Sequence, residues 1–196
     1  MQTIKIISAI LATILGTYAF FPYIRDILKN KTKPHLYTWL IWTIGQTVAV
    51  AGLWYGDGGI GAIELTVGTF FVFIIFLLSF KYGTKNIKWT DKAFLLASLV
   101  AIAIWVGLDN AFLSIAFICL IDFLGFIPSF RKSWSEPWSE TTSSWALFSI
   151  GNIFAIIALK EYNFLTVGYL ITITINNLAL LIVCLIRRRK ISKPKS

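Results

Sequence analysis

Long apolar runs separated by short charged breaks set the pattern of this chain. Seven runs can be marked, approximately 4–21, 35–55, 59–80, 93–108, 111–130, 142–159 and 164–186. Each has about the length that a helix needs to cross a hydrocarbon core roughly 30 Å thick. No alternating strand pattern interrupts them, so the pattern predicts an all-α polytopic membrane protein with seven transmembrane helices. The loops between the runs are too short to hold a separate soluble domain.

A second pattern is laid over the first. The stretch 20–46, FFPYIRDILKNKTKPHLYTWLIWTIGQ, returns 106 positions later as 126–152, FIPSFRKSWSEPWSETTSSWALFSIGN. Pro22 falls on Pro128, Arg25 on Arg131, Trp39 on Trp145 and Gly45 on Gly151, with no gap. Thr38 is echoed by Ser144 and Gln46 by Asn152. Matches of Ile or Leu mean little in so apolar a chain. Pro, Arg, Trp and Gly at one constant offset indicate an internal duplication. Further along, Thr66 pairs with Thr172, and Lys81 with Arg187. The division is therefore 1–81 for the first three-helix repeat, 82–109 for a linker helix, 110–187 for the second repeat and 188–196 for a basic tail. One extra helix between two three-helix units gives the second the same orientation as the first, so the repeats are expected to be parallel.

Composition sharpens this picture. Hydrophobic residues make up 57% of the chain and charged residues 14%, against about 25% charged in soluble domains. The net charge of +9 could suggest nucleic acid, but its placement points elsewhere. Sixteen of the eighteen Lys and Arg fall in the first, third and fifth loops and the tail; only Lys5 and Lys160 fall on the opposite face. By the positive-inside rule the N-terminus is outside and the C-terminus cytosolic, in a plasma or inner membrane. The tail is thus expected to anchor topology beside anionic lipid, with no nucleic-acid partner. The first run lacks an A-x-A site, is long for a signal peptide and has a counterpart in the fifth, so it is read as a span. Cys119 and Cys184 both lie within apolar runs, where no disulfide is expected.

The order of three helices, a linker helix and three helices resembles the SWEET sugar transporters and the wider PQ-loop superfamily. The local pattern agrees: Pro22, a short basic loop, then Thr38 and Trp39, and again Pro128, a loop, Ser144 and Trp145. The chain diverges at the Pro-Gln pair itself, where Tyr23 and Ser129 stand in place of Gln. The resemblance implies a transporter of a small polar solute (sugar-like, amino-acid-like or vitamin-like), with Pro22 and Pro128 as gating hinges. The superfamily also contains a receptor, so a non-transporting receptor or sensor with a ligand cavity is the alternative.

Polar groups inside hydrocarbon are costly, about 2.5–3.5 kcal/mol for an Asp at a helix centre, and so mark candidate sites. Asp122 lies near the middle of the fifth run, where its repeat partner is Gly16. Asn152 and Gln46 are repeat partners at the middle of the sixth and second runs, and Asn176 and Asn177 lie at the middle of the seventh. Together with Trp42, these form an expected substrate site at the midplane, where repeat-built transporters bind solute. The same Asn and Gln could instead serve as hydrogen-bonding glue between helices. Two adjacent Asn cannot both face one cavity. No Lys, Arg or His lies at the depth of Asp122, so a proton exchanged there as access alternates is the expected coupling device. The resemblance points the same way, since some PQ-loop relatives are proton-coupled.

Other residues carry blander readings. Glu64, a turn inside the outer end of its run, is expected to snorkel to water. Trp39, Trp54, Trp89, Trp134, Trp138 and Trp145 fit an aromatic belt at the interface, and His35 fits a capping or interfacial role at a helix start rather than a pH switch. Pro22 and Pro128, if not hinges, would simply end their spans. One His and two distant Cys cannot build a zinc site, and there is no Gly-rich phosphate loop. The expectation is no enzyme, no metal and no cofactor, with lipid and a small solute as partners; a homo-oligomer is left open.

Overall fold

The computed structural model describes residues 2–107 and 110–193. The expected end of the fourth run at Leu108 and the last residues of the tail lie outside them. Among the described residues there are seven α-helices and no strands: α1 (Gln2–Leu28), α2 (Leu36–Tyr55), α3 (Ile63–Tyr82), α4 (Trp89–Val106), α5 (Ala111–Ser135), α6 (Thr142–Ala158) and α7 (Phe164–Arg188). The stretches Gln2–Leu28, Leu36–Tyr55, Gly59–Tyr82 and Phe164–Arg188 are long and apolar enough to cross a membrane.

The boundaries differ from the sequence reading at the prolines. Helix α1 continues six residues past Pro22, and α5 runs on to Ser135 beyond Pro128, so neither proline ends its helix. Each removes one backbone hydrogen bond inside a continuing helix, where neighbouring helices hold the backbone in place.

Six helices form a closed ring. Helix α3 packs between α1 and α2, and α7 packs between α5 and α6. The ring closes through α1 against α6 and α2 against α5, while α4 stands outside against α5 and, more lightly, α2. Around the ring the order is therefore α1–α3–α2–α5–α7–α6.

Small residues let the ring close. A Cβ added to Gly151 would lie 3.2 Å from the backbone N of Gly16 and 3.4 Å from the Ala12 carbonyl oxygen. Ala12 and Gly16 on α1 approach Gly151 on α6, Ala12 and Ala155 share one buried cluster, and all four are buried. In lipid, where apolar attraction between helices vanishes, close backbone approach of this kind supplies the packing energy. At the other seam a Cβ on Gly125 would meet Ile41 at 2.9 Å and the Trp42 indole nitrogen at 3.0 Å.

The outside of the ring is apolar, and the interior combines an aromatic and aliphatic core with a set of buried polar side chains. Ile4, Ile7, Ile14 and Phe21 of α1 are exposed, as are Phe70 and Leu77 of α3 and Ile175 and Ile182 of α7. Gln46, Glu64, Asp122, Asn152, Asn176 and Asn177 are all buried. So large an exposed apolar surface is what a bilayer covers.

The loops sort to two ends. At one end Lys5 donates to the Lys160 carbonyl, Lys160 N to the Gly58 carbonyl (3.2 Å) and Asn163 to the Gly56 carbonyl (3.1 Å). There Asp57 and Gly59 turn the chain with φ of 58° and 60°. Only Gly adopts that backbone without steric cost. The Asp57 carboxylate pairs with the exposed Lys160 ammonium and, by that hydrogen bond, holds it above its ordinary pKa. At the other end the first, third and fifth loops and the tail meet: Thr84 N donates to Pro34, Lys33 N to Ser139 and Trp138 to Ile191. This is the basic end.

Candidate functional site: a cavity at the centre of the ring

A cavity of about 40 Å³ lies inside the ring, lined by α1, α2, α3, α5, α6 and α7. At roughly 10–15 Å³ per water, it has room for about three or four waters. Its wall follows the offset of 106. Phe20 and Phe126 both line it, as do Trp39 and Trp145, Trp42 and Phe148, and Gln46 and Asn152. Four matched pairs from two halves of the chain thus converge on one space.

The aromatic residues form one connected cluster. Trp42 lies 4.3 Å from Phe126, 5.1 Å from Trp39 and 6.0 Å from Trp145, centroid to centroid, and Phe20 lies 4.6 Å from Phe148. Edge-to-face packing of this kind contributes about 0.5–1.5 kcal/mol per pair beyond area. Trp39 and Trp145 are buried here and do not belong to an interfacial belt. The duplicated Trp opens a helix, a position shared by belt and cavity residues, so sequence position alone could not separate them.

The polar residues divide into two groups. Gln46, Asn152 and Asn177 line the cavity. Asp122 and Asn176 stand behind the wall: Asn176 Nδ2 donates to Asp122 Oδ2 (3.0 Å) and the Tyr169 hydroxyl to Oδ1 (3.1 Å). Trp42 links the groups, its indole N–H reaching the Asp122 carbonyl at 3.4 Å. The adjacent asparagines thus face different ways, Asn177 to the cavity and Asn176 to Asp122. The Asp122 carboxyl is satisfied by neutral donors.

Glu64 is the residue whose position the sequence reading missed. It does not snorkel. It is 7% exposed, lines the cavity and has Oε2 without a hydrogen-bond partner among the described residues. Its carboxyl reaches inward because Gly16 on α1 has no side chain to block it.

The basic end closes over a buried ionic network. The Lys132 ammonium pairs with the Glu140 carboxylate and donates to the Lys33 carbonyl (2.7 Å). Glu140 also accepts from the Trp145 indole (2.9 Å) and the Tyr23 hydroxyl (3.2 Å). Lys132 and Glu140 are both buried, so this one basic residue of the fifth loop is an interior charge. Tyr23 and Ser129 each make a hydrogen bond to a neighbouring element, Tyr23 to Glu140 and Ser129 to Thr38 (3.1 Å).

His35 precedes α2 but makes no side-chain capping hydrogen bond. Instead its Nε2 lies 3.2 Å from Asp91, which Arg131 also binds at 2.5 and 2.9 Å. Burial pushes the Asp91 carboxyl up, but the hydrogen bonds from Arg131 and the Lys88 amide outweigh it and hold the group below its usual range. A cap needs a short acceptor reaching the next turn, and the His35 ring is drawn toward Asp91.

No group of three or more His, Cys, Asp or Glu that could hold a metal occurs among the described residues. Comparison with protein-family models, curated proteins and solved structures finds no match.

Proposed function

We propose that this chain is a transporter that moves a small polar solute across a membrane by alternating access. The observation that carries the proposal is the cavity wall, built from four residue pairs that share one sequence offset. A site at the interface of two repeats is where rocking of one unit against the other exposes it to each side in turn. The ring order supports the same reading, since α3 sits between α1 and α2 as α7 sits between α5 and α6. In this reading all seven helices span the membrane, the repeats are parallel, and the basic end faces the cytosol of a plasma or inner membrane. Gln46, Asn152, Asn177 and Trp42 contact solute. Asp122 takes up and releases a proton behind them while Asn176 donates a hydrogen bond to it, and Pro22 and Pro128 flex within their helices. The resemblance to SWEET and PQ-loop proteins adds to this reading.

A receptor or sensor on the same fold is the second reading. The buried Lys132–Glu140 pair favours it, because opening that end would expose an ion pair now packed into the ring. Flux separates the two. Purified protein in liposomes, given a panel of labelled sugars, amino acids and amines, should exchange at least one of them across the bilayer. Binding without exchange would favour the receptor.

A further inference from the structure

One carboxyl group lines the cavity. Among its described lining residues Glu64 is the only ionisable side chain apart from the inert indole and amide groups, and no Lys, Arg or His is present. Its Oε2 has no hydrogen-bond donor among the described residues, although the residue is more than nine-tenths buried. A buried carboxylate needs a counter-charge, because the desolvation it suffers is repaid only by a close cation or a proton. The rest of the wall supplies Trp39, Trp42, Trp145 and Phe126, whose ring faces attract cations through their quadrupoles.

We infer that the solute is an organic cation whose ammonium group is held between the Glu64 carboxylate and the aromatic cluster. This rests on the transport reading and narrows its solute class: the hydroxyls of a neutral sugar can donate to Glu64 Oε2 but cannot balance the charge of a buried carboxylate. Gly16 belongs to the site through Glu64, since a Cβ there would lie 2.3 Å from Oε1 and 3.0 Å from Cγ and would drive the carboxyl away. The Gln46, Asn152 and Asn177 amides are available to the polar remainder of the solute. The cavity must widen to admit it, as the present space of about 40 Å³ is smaller than a methylated ammonium group.

The test uses choline and its uncharged carbon isostere, in which a tert-butyl group replaces the trimethylammonium. Both are titrated into the full-length protein in lipid nanodiscs, following tryptophan fluorescence, and both are assayed for counterflow in liposomes. Choline should bind at least about tenfold more tightly than the isostere, the difference expected of a charge-selective aromatic site. Glu64→Gln should reduce that preference to less than about threefold, and Gly16→Ala should weaken choline binding with little effect on the isostere. Equal binding of the two compounds by the wild-type protein overturns the inference, whether or not the variants fold. Retained preference in a folded Glu64→Gln protein also overturns it. Exchange of a neutral solute without choline binding removes the cation and leaves transport standing. Choline binding without exchange supports the cation site and removes transport.

Discussion

The carboxyl group of Glu64 fills the space that the missing side chain of Gly16 leaves on the facing helix; a Cβ there would lie 2.3 Å from Oε1. The contact reverses the sign of one substitution. In the wild-type background Gly16→Ala should destabilise, because an added methyl in a packed interior typically costs about 1–3 kcal/mol, here reduced as the carboxyl end gives way. In a Glu64→Ala background the same change should stabilise by up to about 1 kcal/mol, the helix propensity gained on replacing Gly. Thermal unfolding of the four proteins in one detergent measures the coupling. Additive effects would mean that the two residues do not touch in the folded protein.

Gly45 and Gly151 are repeat partners with different neighbours. A Cβ on Gly151 meets backbone at 3.2 and 3.4 Å, which cannot move aside, while one on Gly45 meets only the Ile121 side chain at 3.7 Å. Gly151→Ala should therefore cost about 1–3 kcal/mol through forced separation of α1 and α6. Gly45→Ala should be neutral or slightly stabilising. Equal losses of melting temperature would contradict the asymmetry of the two seams.

Asp122 accepts from Tyr169 and Asn176. Asp122→Asn retains one acceptor oxygen and lets the Tyr169 hydroxyl rotate, so folding should be preserved within about 1 kcal/mol. Asp122→Ala strands two buried donors at roughly 1–3 kcal/mol each and should lower stability clearly. If the carboxyl carries the coupled proton, the Asn protein should also lose the pH dependence of solute exchange. A folded Asn protein with an unchanged pH profile would leave Asp122 as interhelical glue.

The Lys132–Glu140 pair is buried on both sides. Glu140→Gln should cost about 3–5 kcal/mol, since it leaves an uncompensated ammonium in the ring. Adding Lys132→Met should recover most of that loss. Chemical denaturation in mixed micelles would reveal whether the double variant is more stable than the single; the reverse order would show that the pair is not buried in solution.

What the sequence disclosed follows from what repeats and periodicity can encode. Gln46 and Asn152 were legible as site residues because polar side chains in the middle of apolar runs stand out, whereas the shared offset of Trp39 and Trp145 did not show that they face the cavity rather than the interface. The helical phase of Asn176 and Asn177 was not legible, since adjacent residues differ by about a quarter turn and either could face inward. Glu64 was missed because its space depends on Gly16, on another helix and forty-eight positions away. The burial of Lys132 was not legible because a count of basic residues does not register that Glu140 folds back over it. His35 read as a cap because only the fold brings Asp91 beside it.

Alternating access is tested most directly by a cysteine at Asn177, the cavity-lining asparagine, in a protein with Cys119 and Cys184 changed to Ser. A membrane-impermeant thiol reagent is applied to one face of sealed vesicles and then to the other. The cysteine should label from both faces, and a cross-link holding α1 against α6 at the basic end should stop labelling from that face alone. Labelling from a single face under every condition would contradict alternating access and leave a receptor; labelling from neither would leave a cavity that never opens.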